Sequence, residues 1–188
     1  MKKITIIIAL LLVAFSASAQ YATTEGDGFR FVASKHQVIR TGFTDRHPFS
    51  VSITAALNPE NNEWSFYLLV GVMETISHAV PEGGLLLIKT TDGTVIELAN
   101  EFDELASRDY KGHVVSGTST RTFVNYGSYP VTLDQLGALV TGVVKIRLQH
   151  SGEVVESIYK KDKWGKPISN MIMELVELMD QGDIREGF

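Results

Sequence analysis

The sequence predicts a mainly β protein, an antiparallel β-sandwich of about nine or ten strands with a short helix over 133–141 and a C-terminal amphipathic helix over 167–181. Three observations carry this reading. Apolar and polar residues alternate along several short runs that are separated by turn residues. Two of the turns have the composition of tight hairpins. Helical spacing of apolar residues is confined to the end of the chain and to one capped stretch before the last hairpin. Strand number does not separate a sandwich from a closed barrel, which stands as the alternative.

Phe49, Val51, Ile53, Ala55 and Leu57 alternate with Ser50, Ser52, Thr54 and Ala56, the period of a half-buried strand. Asn58-Pro59-Glu60-Asn61-Asn62 is a turn cluster, and Trp64, Phe66, Leu68, Val70 and Val72 resume the alternation. Residues 49–57 and 63–72 therefore predict an antiparallel pair. Gly84 to Ala99 predicts a second hairpin around Asp92-Gly93, a pair suited to a two-residue turn. Leu85-Leu86-Leu87-Ile88 is apolar on both faces, which places that strand centrally. A third pair is expected over 109–116 and 120–127, around Gly117-Thr118-Ser119.

Thr132-Leu133-Asp134-Gln135 is a capping box, with Val131 and Leu136 at the two staple positions and Gly142 as the stop. A strand follows in which Val144, Ile146 and Leu148 face the core while Lys145, Arg147 and Gln149 face water. A tight Ser151-Gly152 return sets Arg147 opposite Glu156 and Leu148 opposite Val155, so charges pair on the wet face and apolar side chains on the other. Ile168, Met171, Ile172, Leu175, Leu178 and Met179 recur at helical spacing up to Gly182. This stripe is expected to dock on the protein's own sheet.

Residues 1–19 have the three parts of a cleavable export signal: Lys2 and Lys3, an apolar stretch from Ile4 to Phe15, and Ala17-Ser18-Ala19 at the cleavage site. That stretch falls short of the ~20 apolar residues of a membrane span. The expected product starts at Gln20, exported by the Sec route to the periplasm or the cell exterior, and does not span the membrane after cleavage. Residues 20–28 read as a small, polar, flexible leader and 29–188 as a single domain. The chain has no cysteine, which excludes disulfides, thiolate chemistry and a lipoprotein anchor. Without the two signal lysines, 15 basic residues face 22 acidic ones for a net charge of −7. That balance, with no basic run, argues against nucleic acid as a partner.

The run from Tyr129-Pro130-Val131-Thr132 through Gly142-Val143-Val144-Lys145-Ile146-Arg147, the link Lys161-Asp162-Lys163-Trp164-Gly165-Lys166, and Gly84 to Leu98 resemble small, uncharacterised secreted proteins of gut-type Bacteroidetes. The resemblance covers about half the mature chain. It implies export and a β-sandwich, and it carries over no activity and no functional residue.

No catalytic motif stands out. The histidines His36, His47, His78, His113 and His150 lack H-x-H or H-x-x-x-H spacing, so no local metal site is predicted, and no cofactor is expected. Asp45-Arg46-His47 is the densest polar trio, in a loop where a carboxylate could orient an imidazole. Glu101, Asp103 and Glu104 read as a solvated acidic turn. Of the aromatic run, Trp64 and Phe66 share the core face, and Tyr67 alone points outward as a platform for a sugar. Asp45, His47 and Tyr67 are accordingly the candidate binding residues. The expected function is a non-catalytic binding module whose partner is a protein or glycan of the cell envelope. The alternative is a hydrolase acting on glycan or peptide, which would bring two or more of Asp45, His47, His78, His113, Glu101 and Asp103 into one pocket.

Overall fold

The computed structural model describes residues 20–23, 30–42, 47–74, 78–102, 105–111, 121–151 and 153–185. Within them lie strands β1 (Gln20–Thr23), β2 (Arg30–Ala33), β3 (Gln37–Ile39), β4 (Phe49–Asn58), β5 (Glu63–Glu74), β6 (Leu85–Thr90), β7 (Val95–Ala99), β8 (Leu105–Lys111), β9 (Arg121–Val131), β10 (Val143–Gln149) and β11 (Val154–Ile158). Helix α1 (Leu133–Val140) joins β9 to β10, and α2 (Gly165–Arg185) closes the chain. Two antiparallel sheets result, one ordered β1-β2-β4-β5-β9-β8 with β3 also on β4, the other β11-β10-β6-β7. The eleven described strands exceed the expected nine or ten because β1, β2 and β3 are only three or four residues long. Residues 1–19, expected to be an export signal, and the expected turn at 117–119 lie outside the described residues.

The longest pair forms as expected, but β4 is not half-buried: Ser50, Ser52, Thr54 and Ala56 are as buried as Phe49, Val51 and Ile53, with the Ser50 hydroxyl against that of Tyr126 at 3.2 Å. β4 and β5 run in register from Phe49↔Val72 to Asn58↔Glu63. The turn between them is held by the Asn58 side chain, which accepts from the Glu60 amide (2.9 Å), and by Asn62 at a left-handed φ of 56°. On the other edge of β4, two short strands share one partner. Ser34 bridges the gap between them, its amide donating to the Ile53 carbonyl and its hydroxyl accepting from the Ile53 amide. Gln20–Thr23, read from composition as part of the leader, pairs with β2 through Tyr21↔Val32. A strand this short at a sheet edge has too little pattern to be legible.

In the second sheet β6 is central, between β10 and β7, as its two apolar faces require. Inside the closing Thr90–Thr94 pair the β6–β7 turn has three residues, 91–93, rather than two. Thr90 N donates to the Thr94 carbonyl, and Gly93, at φ 92°, supplies the left-handed step. β10 and β11 pair with Arg147↔Glu156 and Leu148↔Val155, and the Arg147 guanidinium donates twice to Glu156 Oε2. One detail differs from the alternation. A bulge between Val143 and Lys145 puts Val143 fully inside and leaves Val144 half-buried. A third pair forms as β8 with β9, from Lys111↔Arg121 to Leu105↔Tyr126 with an irregularity between Leu105 and Arg108; its first strand lies at 105–111 rather than 109–116, and residues 112–120 lie outside the described residues.

The capping box is complete. Thr132 Oγ1 accepts from the Gln135 amide, and the Gln135 side chain accepts from the Thr132 amide. Thr132→Ala removes one of these and should lower stability by about 0.5–2 kcal/mol in denaturant melts. After α1, Gly142 at φ 113° is required twice over. A Cβ there would sit in a strained backbone and meet the Asp162 carboxylate. That carboxylate accepts from the amides of Val143, Trp164 and Gly165, stitching the start of β10 to the start of α2. Burial works against its charge, but the amides outweigh burial and hold its pKa below the usual carboxylate value.

The two sheets and α2 share one apolar core, in which Ile168, Met171 and Leu175 of the helix and the adjoining Trp164 are buried. The Trp164 ring stands between Phe49 and Tyr159 at centroid distances of 6.4 and 6.3 Å. The helix passes through Gly182 to Arg185, since one glycine raises its free energy by only ~1 kcal/mol. Among the described residues no helix is long and apolar enough to cross a membrane.

Candidate functional site

β5 carries chemistry at both ends. Its core-facing residues are Trp64, Phe66, Leu68, Val70, Val72 and Glu74 by alternation, and about 33 Å of extended strand separates the first from the last. The two ends therefore form separate sites.

At the far end the apolar stripe ends in a carboxylate. Glu74 is 7% exposed, and its Oε2 accepts from the Asn125 side chain at 2.7 Å. Asn125 lies on β9 opposite Val72, so it projects to the same side, and its Oδ1 accepts from the His78 amide at 2.9 Å. His150, just past β10 in the other sheet, brings Nε2 to 3.4 Å from Glu74 Oε2. The His78 and His150 rings stack at 4.7 Å, 14° from parallel. His47 comes from the other side. Continuing the β4–β5 register beyond Phe49↔Val72 puts it opposite Glu74, with Nδ1 3.4 Å from Oε1.

At the near end β9 leaves the sheet. The last β5–β9 pair is Phe66↔Val131, after which the chain turns into α1, so the edge of β5 at Trp64 and Ser65 has no β9 partner. A cleft of ≈ 540 Å³ opens there and reaches both faces of the strand. Its apolar walls are Trp64, Phe66, Tyr67 and Pro130, with Glu101 and Asp134 among the polar lining. Trp64 and Phe66 also pack on the core, as their face predicts. The missing strand is what exposes them together with Tyr67.

Tyr67 lies against the loop after β7, its ring 6.3 Å from Phe102. Burial first, and the nearby Glu101 carboxylate second, push its phenol from 10.0 up to about 12. It is thus a neutral hydrogen-bonding hydroxyl at any physiological pH. Because the folded-state value is raised, its contribution to stability is complete below the ordinary value of 10.0 and is lost as pH rises towards about 12. Ultraviolet difference titration should show this phenolate forming late, and Glu101→Gln should bring its titration back towards 10.0.

Of the three residues expected to bind, Tyr67 lies in the cleft and His47 beside Glu74. Asp45 lies outside the described residues, as do Arg46, Asp103, Glu104 and His113. Of the histidines named for the hydrolase alternative, His47 and His78 each approach Glu74, a carboxylate that the pattern of motifs did not single out, and His78 does so together with His150. Glu74 and Asn125 had one sequence signal available, since each is a polar residue placed where strand alternation requires an apolar one. No protein-family model matches the chain, and no curated protein and no solved structure matches it.

Proposed function

We propose that this protein is an exported, non-catalytic binding module that holds a neutral or amino-bearing glycan in the cleft at the start of β5. The observation that carries the reading is the cleft itself, walled by three aromatic side chains where β9 departs from β5. Its volume falls in the ~300–1,000 Å³ range of small-ligand sites. Aromatic faces take the apolar C–H side of a sugar ring, while Glu101, Asp134 and the neutral Tyr67 hydroxyl offer partners to its hydroxyl groups. Two carboxylates disfavour an anionic ligand, as does the net charge of the mature chain. The pattern of residues 1–19 supports Sec export to the periplasm or beyond, where envelope glycans and their protein partners are found.

Trp64→Ala should remove most of the affinity for such a glycan, a loss of about tenfold or more, without a matching loss of fold. Isothermal titration against neutral and amino-sugar oligosaccharides measures this. Binding that survives the substitution would place the ligand elsewhere. One observation favours the second reading, a hydrolase, namely the meeting of His47 and His78 at Glu74. Release of reducing ends or new amino groups from envelope polymers, lost on Glu74→Gln, would support it.

A further inference from the structure

Glu74 is a buried carboxylate with no lysine or arginine paired to it among the described residues; its partners there are the Asn125 amide and two imidazoles. Both imidazole nitrogens stand 3.4 Å from its oxygens, longer than the ~2.7–2.9 Å of a charge-assisted hydrogen bond. The His150 distance matches another spacing. Tetrahedral zinc, bound at about 2.0–2.1 Å, sets its ligand atoms about 3.3 Å apart. Ligand atoms of Glu74, His78 and His150 all lie within 4.8 Å of one another.

We propose that Glu74, His78 and His150 form a binding site for a divalent transition-metal ion of the zinc type, with His47 against the other oxygen of the same carboxylate. Imidazole and carboxylate suit such an ion, whereas calcium takes six to eight oxygens and finds one carboxylate here. The surroundings are those of a held site. Asn125, fully buried, bonds both the Glu74 carboxylate and the His78 backbone, so one residue orients two ligands. Glu74 and His150 come from opposite sheets and are buried, while His78 and His47 are partly open and give the ion a way in.

Binding asks for two adjustments. The stacked His78 ring must rotate slightly to share an ion with His150. The His150 Nδ1 now accepts a long 3.4 Å bond from the Glu153 amide. When Nε2 takes the metal, the ring proton moves to Nδ1 and that bond is given up. The site joins the two sheets at the end opposite the glycan cleft and stands independently of that reading.

Equilibrium dialysis of the purified chain against zinc chloride, with elemental analysis, tests the site. The wild type should retain one equivalent at micromolar zinc and give tetrahedral d–d absorption with cobalt(II). His78→Gln and Glu74→Gln should each weaken retention about 100-fold, and thermal melts should show zinc stabilising the wild type but neither variant. Circular dichroism identifies any variant that fails to fold, and the half-buried His78 then serves as the reference substitution. No zinc retained by the wild type would overturn the proposal. Retention undiminished in both variants would overturn it equally, assigning the zinc to other histidines.

Discussion

A chain ended at Gly165 should fail to fold, or melt at least ~10–20 °C below the full-length protein. The truncation strips Ile168, Met171 and Leu175 from a core they share with both sheets. It also uncovers Trp164, the largest fully buried side chain. Each buried side chain contributes about 1.5–3 kcal/mol, against a total stability of ~5–15 kcal/mol. A net loss of even ~5 kcal/mol corresponds to that shift in Tm for a chain of this length. The helix is also tied at its edge, where Glu174 accepts from the Lys35 amide at 3.0 Å. A truncated protein melting within a few degrees of the intact one would make α2 an appendage, and its apolar stripe a surface for another molecule.

Asn100→Ala should produce the largest effect of any single polar substitution, a loss of about 3–5 kcal/mol. The side chain is 2% exposed and joins three segments. Its amide group faces the carbonyls of Val80, Pro81 and Phe102, and its Oδ1 accepts from the Ser128 amide on β9 at 2.8 Å. Alanine would leave that amide and at least one carbonyl buried without a partner, at ~1–3 kcal/mol each. The same residue precedes Glu101, whose amide donates to the Ser128 carbonyl, so the substitution should also loosen the cleft wall and weaken ligand binding. Urea melts give the first quantity and titration the second. An unchanged midpoint would mean that water replaces these bonds at no cost.

How far the sequence reached depends on the range of the interaction concerned. The β4–β5 pairing and the β10–β11 register were legible because alternation and turn length specify them within twenty-odd residues. The Thr132 cap was legible because it is a contact between residues three apart. The bulge at Val143 was not, since it depends on how β10 meets β6, more than fifty residues earlier. The candidate sites divide in the same way. Tyr67 could be assigned to the outer face from alternation alone, but the cleft exists because β9 ends at Val131, a fact about a different strand. Glu74, His78 and His150 have no local spacing in common, and only the stacking of one sheet on the other brings His150 to Glu74. What the sequence did contain was the anomaly at Glu74, a carboxylate in line with Trp64, Phe66, Leu68, Val70 and Val72.

The binding reading rests on the cleft at Trp64, and two-dimensional NMR of the labelled protein tests it most directly. The chain has two tryptophans, so two indole N–H signals report on opposite environments, Trp64 in the cleft and Trp164 in the core. Titration with a neutral or amino-sugar oligosaccharide should shift the Trp64 indole and the amides of 64–67 and 131–134, leave the Trp164 indole in place, and return the oligosaccharide unhydrolysed. Shifts confined to other surfaces, or a cleaved oligosaccharide, would contradict the account.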